Sequence, residues 1–178
     1  MDKKVDAQSL EKILRAFDEE IGKSRKPTVH LLAGGGGALI GAYKYQEATA
    51  DFDALVLQGN LSDFAPEIAA VAKKLDLPAD WLNPYFSTFT IYLPKDYRSR
   101  CVKIYQGENL LVEALGSQDL LVMKLMAGRS KDHSHILFLA KQAVNFAAIE
   151  DRLIELEKLF PKEAGRALEL FDDLLGER

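Results

Sequence analysis

The stretch "LLAGGGGALIGAYKYQEATADFDALVLQG", Leu31–Gly59, decides how the rest of the chain is read. A short apolar run, "TVHLLA" (Thr28–Ala33), breaks at four glycines, Gly34–Gly37, as a buried strand ending in a tight turn would. "ALIGAYKY" (Ala38–Tyr45) is compatible with a helix, and "DFDALVL" (Asp51–Leu57) reads as a second strand. Asp51 and Asp53 are spaced i, i+2, so on a strand both carboxylates fall on one face. A glycine turn beside a carboxylate pair suits a dinucleotide site, a metal-dependent phosphoryl or nucleotidyl transfer site, or a plain turn before a plain strand.

The spacing of the glycines separates these readings. A dinucleotide fingerprint needs G-x-G-x-x-G and an acid at the end of the next strand. Counted from Gly34 and Gly36, the third glycine would fall at position 39, which is Leu39; Gly35, Gly37 and Gly41 give only a looser variant. Both aspartates also stand at the start of their apolar run, not after it. No Gly-Lys-Ser/Thr ending of a P-loop is present. A phosphate site asks for less. Glycines let backbone N–H groups approach oxygen atoms, and the following helix adds a favourable dipole. Two carboxylates on one face can hold Mg2+ (or Mn2+), which takes one or two carboxylates along with substrate phosphates. A pair of metals would hold the attacking and leaving oxygens in line. A glycine-rich turn followed by two solvent-facing carboxylates remains the competing reading.

Composition bounds the rest. The chain has 178 residues, 48% hydrophobic and 28% charged, which suits one globular domain or a domain with a helical appendage. A net charge of −4 leaves no general basic field for nucleic acid. Cys101 is the single cysteine, so neither an intrachain disulfide nor a cysteine-rich zinc site is expected. The start has no apolar core of signal-peptide type, and no apolar run is long enough to span a membrane. A cytoplasmic protein with no membrane partner is the expectation.

Helical spacing marks a first helix through Leu10, Ile13, Leu14, Phe17 and Ile21, and another through Phe64, Ile68, Val71, Ala72 and Leu75, with Ser62 or Asp63 as its cap and Pro66 in its first turn. The aromatic, proline-rich middle predicts a loop with a short strand at Thr88–Leu93. "CVKIY" and "LLVEAL" flank the turn signal "QGEN" and predict a hairpin. From Ser117, read as a cap, the chain is helical; Gly128 ends the first of these helices and Pro161 opens the last. The sum is an α/β core with an N-terminal helix over residues 1–116, a small mixed sheet flanked by helices, and a helical C-terminal part over residues 117–178 packed on it.

Strand, Gly-Gly, helix and Asp-x-Asp together resemble the signature of the nucleotidyltransferase superfamily, here Gly35-Gly36 or Gly36-Gly37 followed by Asp51-Phe52-Asp53. Four ordered blocks extend the likeness: "GGGALIGAYKYQEATADFDALV", "LDLPADWLNPY", "LPKDYRSRCVKIY" and "ALGSQDLLVMKLMAGRSKDHSHI". They resemble a bacterial family of nucleotidyltransferase-fold proteins of unassigned function, related to the minimal nucleotidyltransferases and to AbiEii-type proteins of toxin–antitoxin and abortive-infection systems. The resemblance implies a nucleotidyltransferase-type sheet. It also implies transfer of a nucleoside monophosphate from a nucleoside triphosphate to an acceptor hydroxyl on a protein, an RNA end or a small molecule. In that scheme Gly35, Gly36 and Gly37 hold phosphates, Asp51 and Asp53 bind Mg2+ (or Mn2+) as the catalytic pair, and Lys124 or Arg129 neutralises phosphate charge. Active members commonly carry a third carboxylate on a neighbouring strand. The strand expected there is "RCVKIY", whose centre is Lys103, so Glu113 becomes the candidate substitute. The Lys103 position supports an alternative, a catalytically silent binding protein such as one component of a toxin–antitoxin pair with a partner protein.

The remaining polar residues carry weaker signals. Lys124 has Leu120, Leu121, Ala127 and Gly128 at helical neighbour positions, so its charge must find a partner or reach out of an apolar face. The functional reading takes it to a phosphate or to the aspartate pair. Arg129 could do the same as a bidentate fork; Lys131 reads as solvated and Asp132 as a helix-dipole partner. His133 and His135, two apart on a helix, do not face one another, which speaks against zinc. His30 reads as a core histidine. Trp81 and Tyr85 could stack on a base, while the plainer role for Trp81 is to anchor a loop on the core.

Overall fold

The first helix, α1 (Ala7–Ser24), forms because Asp6 caps it and an apolar stripe runs along it. The Asp6 carboxylate accepts from the backbone N–H of Gln8 and Ser9, and the Ser9 hydroxyl accepts the Asp6 N–H in return. Leu10, Ile13, Leu14, Phe17 and Ile21 are all buried, as their spacing predicts. The computed structural model describes residues 5–142 and 144–176. By their contacts these fall into two compact units, one formed by Met1–Ser87 with Cys101–Leu115, the other by Thr88–Arg100 with Gly116–Arg178.

The first unit is a five-stranded mixed sheet with helices. In chain order the elements after α1 are β1 (Val29–Ala33), α2 (Gly35–Tyr43), β2 (Phe52–Val56), α3 (Ala65–Leu75), β3 (Leu82–Asn83), β4 (Val102–Gln106) and β5 (Leu110–Ala114). Across the sheet the order is β3-β2-β1-β5-β4. β1 runs antiparallel to β2 and parallel to β5, β3 runs parallel to β2, and β4 and β5 form the hairpin expected around "QGEN". Its turn is held by Asp18 of α1, whose carboxylate accepts from the backbone N–H groups of Glu108 and Asn109 and from the Tyr105 hydroxyl. α3 is entered through a 3-10 turn, Leu61–Phe64, with Asn60 N–H donating to the Asp63 carboxylate, and Pro66 occupies its first turn.

The second unit is helical: α4 (Ser117–Ala127), α5 (His133–Leu139), α6 (Phe146–Glu157) and α7 (Pro161–Leu175). Gly128 ends α4 at φ +59°, the left-handed conformation glycine adopts without steric cost. Pro161 opens α7, as its place in the sequence predicts. Among the described residues no helix is long and apolar enough to cross a membrane.

Neither Ser62 nor Asp63 caps α3, whose cap position is Phe64, and four further expectations need correction. Thr88–Leu93 is not a strand: Tyr85–Tyr92 is a 3-10 run, bounded by Pro84 and Pro94 and closed by local bonds such as Ser87 N–H to Pro84 O and Leu93 N–H to Thr90 O. Ser117 does not cap α4; Gly116 holds the cap position, and the Ser117 hydroxyl donates to Gln142 O instead. α2 begins at Gly35, so three of the four glycines form its first turn instead of a separate loop. β4, with Lys103, is an edge strand separated from β2 by β5 and β1 and is therefore not the strand beside the aspartates.

Candidate active site

The site is built where β1 hands over to α2. Gly34 caps the helix with extended backbone, and its N–H donates to Asp53 O across the sheet. Gly35 follows at φ +58°, where a side chain would be strained. A Cβ there would also collide with the Asp53 carboxylate, so Asp53 lies against the first turn of the helix. Gly36 faces the Thr49 hydroxyl, which a Cβ would meet at 2.9 Å, and Gly37 lies under the Phe52 ring. Gly35 and Gly36 are half-buried and Gly37 is buried. The glycines thus divide: Gly35 and Gly36 keep backbone open beside Asp53, and Gly37 serves helix–sheet packing. First-turn N–H groups have no partner within their helix, and they carry the positive end of its dipole. A carboxylate or phosphate beside them is favoured on both counts.

Asp51 ends the approach to β2 and Asp53 is its second residue; both are half-exposed. Trp81 fixes the backbone here, its carbonyl accepting the Phe52 N–H at 2.6 Å. Trp81 is fully buried, donates its indole N–H to Ile68 O at 3.1 Å and meets Phe17 edge to face, so it is a core anchor. Tyr85, by contrast, is 68% exposed.

The strand beside β2, on the side away from β1, is β3, and it brings a residue the sequence reading passed over. Asn83 is opposite Asp53 in register and is buried. Its Nδ2 donates to Asp51 Oδ2 at 2.9 Å and lies 3.4 Å from Asp80 O, and its Oδ1 accepts the Tyr85 N–H at 3.0 Å. These partners fix the amide's orientation, because exchanging O and N would set oxygen against carboxylate and N–H against N–H. Asn83 lay in plain sight in "LDLPADWLNPY"; only the pairing of a two-residue strand reveals that it faces the aspartates.

Glu113 sits on β5, opposite Leu32 of β1, two strand spacings or about 10 Å from β2. Its Oε2 lies 2.6 Å from His30 Nε2, so His30 joins a half-exposed carboxylate–imidazole pair on the sheet. Lys103, across from Glu113, donates to Gln106. Among the described residues no three His, Cys, Asp or Glu side chains stand where they could hold one metal ion together. A cation on Asp51 and Asp53 would have to complete its shell with substrate phosphates and water, as Mg2+ does elsewhere. A cavity of about 360 Å3 in the same unit, lined by Leu10, Arg15, Lys44, Ile104 and Tyr105 among others, includes none of these residues.

In the helical unit Lys124 is buried with its Nζ 2.7 Å from Asp132 Oδ1 and 3.0 Å from His135 Nδ1. Arg129 Nε donates to the other Asp132 oxygen at 2.6 Å, and its guanidinium lies 5.8 Å from the centre of the Phe89 ring. Burial pushes the Asp132 carboxyl up, but the His135 hydrogen bond, the Lys124 charge and hydrogen bond and the Arg129 hydrogen bond outweigh it and hold the group well below the usual carboxylate range. Lys124, Arg129, Asp132 and His135 are thus drawn together around one buried carboxylate.

A mixed sheet in which Asp51 and Asp53 flank the first residue of the second strand, with Asp53 against the glycine-started helix that follows the first strand, is a nucleotidyltransferase-type fold. The chain belongs to the family described as "Nucleotidyltransferase of unknown function (DUF6036)", whose sequence profile matches residues 11–164. Comparison with curated proteins and with solved structures gives no significant match.

Proposed function

We propose that the protein binds a nucleoside triphosphate through a divalent cation on Asp51 and Asp53 and transfers the nucleoside monophosphate to an acceptor hydroxyl. The observation that supports this reading most is the contact of the Asp53 carboxylate with the glycine start of α2. A cation held by the aspartates would share its ligands with phosphate oxygens, and those oxygens would then lie beside the N–H groups of Gly35 and Gly36. When bound, Mg2+ supplies charge neutralisation for the phosphates and the leaving group. The acceptor oxygen forms its bond to the α-phosphorus as the bond to the bridging oxygen breaks. Pyrophosphate departs, and the acceptor's proton passes to solvent or to an aspartate oxygen.

Asn83 favours a second reading. An amide, not an acid, stands on the strand beside the aspartates, and among the described residues no third carboxylate joins the pair. On this reading the protein binds the metal–triphosphate without transferring it, as a silent component acting through a partner protein. Calorimetry with each nucleoside triphosphate, with and without Mg2+, followed by a labelled-transfer assay on cell extract, tests both. Metal-dependent binding with label transfer is the expected result; binding without transfer selects the second reading. Binding that is unchanged in the Asp51→Asn, Asp53→Asn double variant overturns both.

A further inference from the structure

We infer that Asn83 is the positioning residue that orients Asp51 as a cation ligand. This rests on the cation site proposed above. Asp51 lies just before β2, where no ladder bond holds it, and its side chain needs another constraint. The Asn83 amide provides one: Nδ2 holds Asp51 Oδ2 at 2.9 Å, while Oδ1 has a long 3.5 Å contact to the Thr49 hydroxyl. The donor is itself held, because Asn83 is 4% exposed and its Oδ1 takes the Tyr85 N–H. A hydrogen bond to an ionised carboxylate is stronger than a neutral one. Partners that orient a ligating carboxylate in this way commonly contribute 10–100-fold to metal affinity. Asn83 also decides the charge of the site: as an amide it adds no third negative charge beside two carboxylates, so the empty pair is less strained by repulsion than a triad would be.

The test is Mn2+ binding followed by electron paramagnetic resonance in the presence of a non-hydrolysable ATP analogue. Asn83→Ala is expected to weaken Mn2+ binding roughly 10–100-fold. In an Asp51→Asn background the same substitution is expected to cause no further loss, since the ligand it orients has gone. Losses that multiply mean that Asn83 only supports the fold, and overturn the inference, as does Asn83→Ala binding equal to the parent's. Urea unfolding of ligand-free Asn83→Ala provides an independent readout: a folded variant with weakened Mn2+ binding supports the inference, and a loss of binding that only follows a loss of folding overturns it. A parent protein that binds no Mn2+ overturns the proposed function as well, whereas parent binding that is lost in Asp51→Asn and kept in Asn83→Ala removes this inference alone.

Discussion

Gly35, Gly36 and Gly37 are one motif in the sequence and three different residues in the structure. Gly35 has φ +58°, and a Cβ would strike the Asp53 carboxylate. A left-handed conformation costs an ordinary residue roughly 1–2 kcal/mol. Gly35→Ala should therefore lower the free energy of unfolding by about that amount and also weaken Mg2+–triphosphate binding by displacing Asp53. Gly37→Ala should behave differently. Its Cβ would enter the Phe52 ring on the buried side of the helix, so stability falls while affinity for the folded protein is kept. Urea unfolding and calorimetry on the two variants separate the roles. Equal effects on binding would mean that the helix start acts only as a packing surface. A bulkier Gly36→Val meets Thr49 before it reaches any phosphate, so its effect on binding would pass through the loop that carries Asp51.

At the scale of elements, the network on Asp132 ties the end of α4 to the start of α5. Breaking a buried ion pair by removing one partner costs about 3–5 kcal/mol. Lys124→Met leaves Asp132 with Arg129 and His135, so a loss at the lower end, about 3 kcal/mol, is expected in urea unfolding, with triphosphate affinity nearly unchanged. The sign of the pH dependence follows from the depressed Asp132 carboxyl. Its contribution is fully present above the ordinary carboxylate value of 3.8 and is lost as pH falls below it toward the folded-state value. The parent should therefore lose stability below about pH 4 more steeply than Asp132→Asn, which has no such carboxylate to protonate. Acid titration of unfolding free energies checks this; coincident slopes would mean that the network is not formed in solution. The elements differ in how legible they were. Helical stripes such as Leu10–Ile21 and the β4–β5 hairpin could be read directly, since periodicity and a turn signal are local properties. The 3-10 run at Tyr85–Tyr92 has a β-like composition, and its Pro84 and Pro94 boundaries won over it. β3 is two residues long and has no periodicity to read, and with it Asn83 was missed. Asp51, Asp53 and the glycines were legible as a spacing, while the distance from β2 to Glu113 and Lys103 depends on strand order, which sequence alone does not state.

At the scale of the whole molecule, one probe reports on the cation site through the core. Trp81 is the single tryptophan, fully buried, and its carbonyl holds the Phe52 N–H between the two aspartates. Its fluorescence therefore follows unfolding of the unit that carries the site. A ligand that binds only the folded state stabilises it by about 2.7 kcal/mol at one hundred times its dissociation constant. With a urea dependence of about 1–3 kcal/mol per molar, the Trp81 unfolding midpoint should rise by roughly 1–3 M in Mg2+ and triphosphate at that concentration. Triphosphate with a chelator should leave the midpoint in place, because without the cation Asp51 and Asp53 repel the phosphates. The Asp51→Asn, Asp53→Asn double variant should show no rise under either condition. A rise that persists in the double variant would place the triphosphate away from the glycine start of α2. A rise that appears without metal would mean that the phosphates are held by cationic side chains and not through the aspartates.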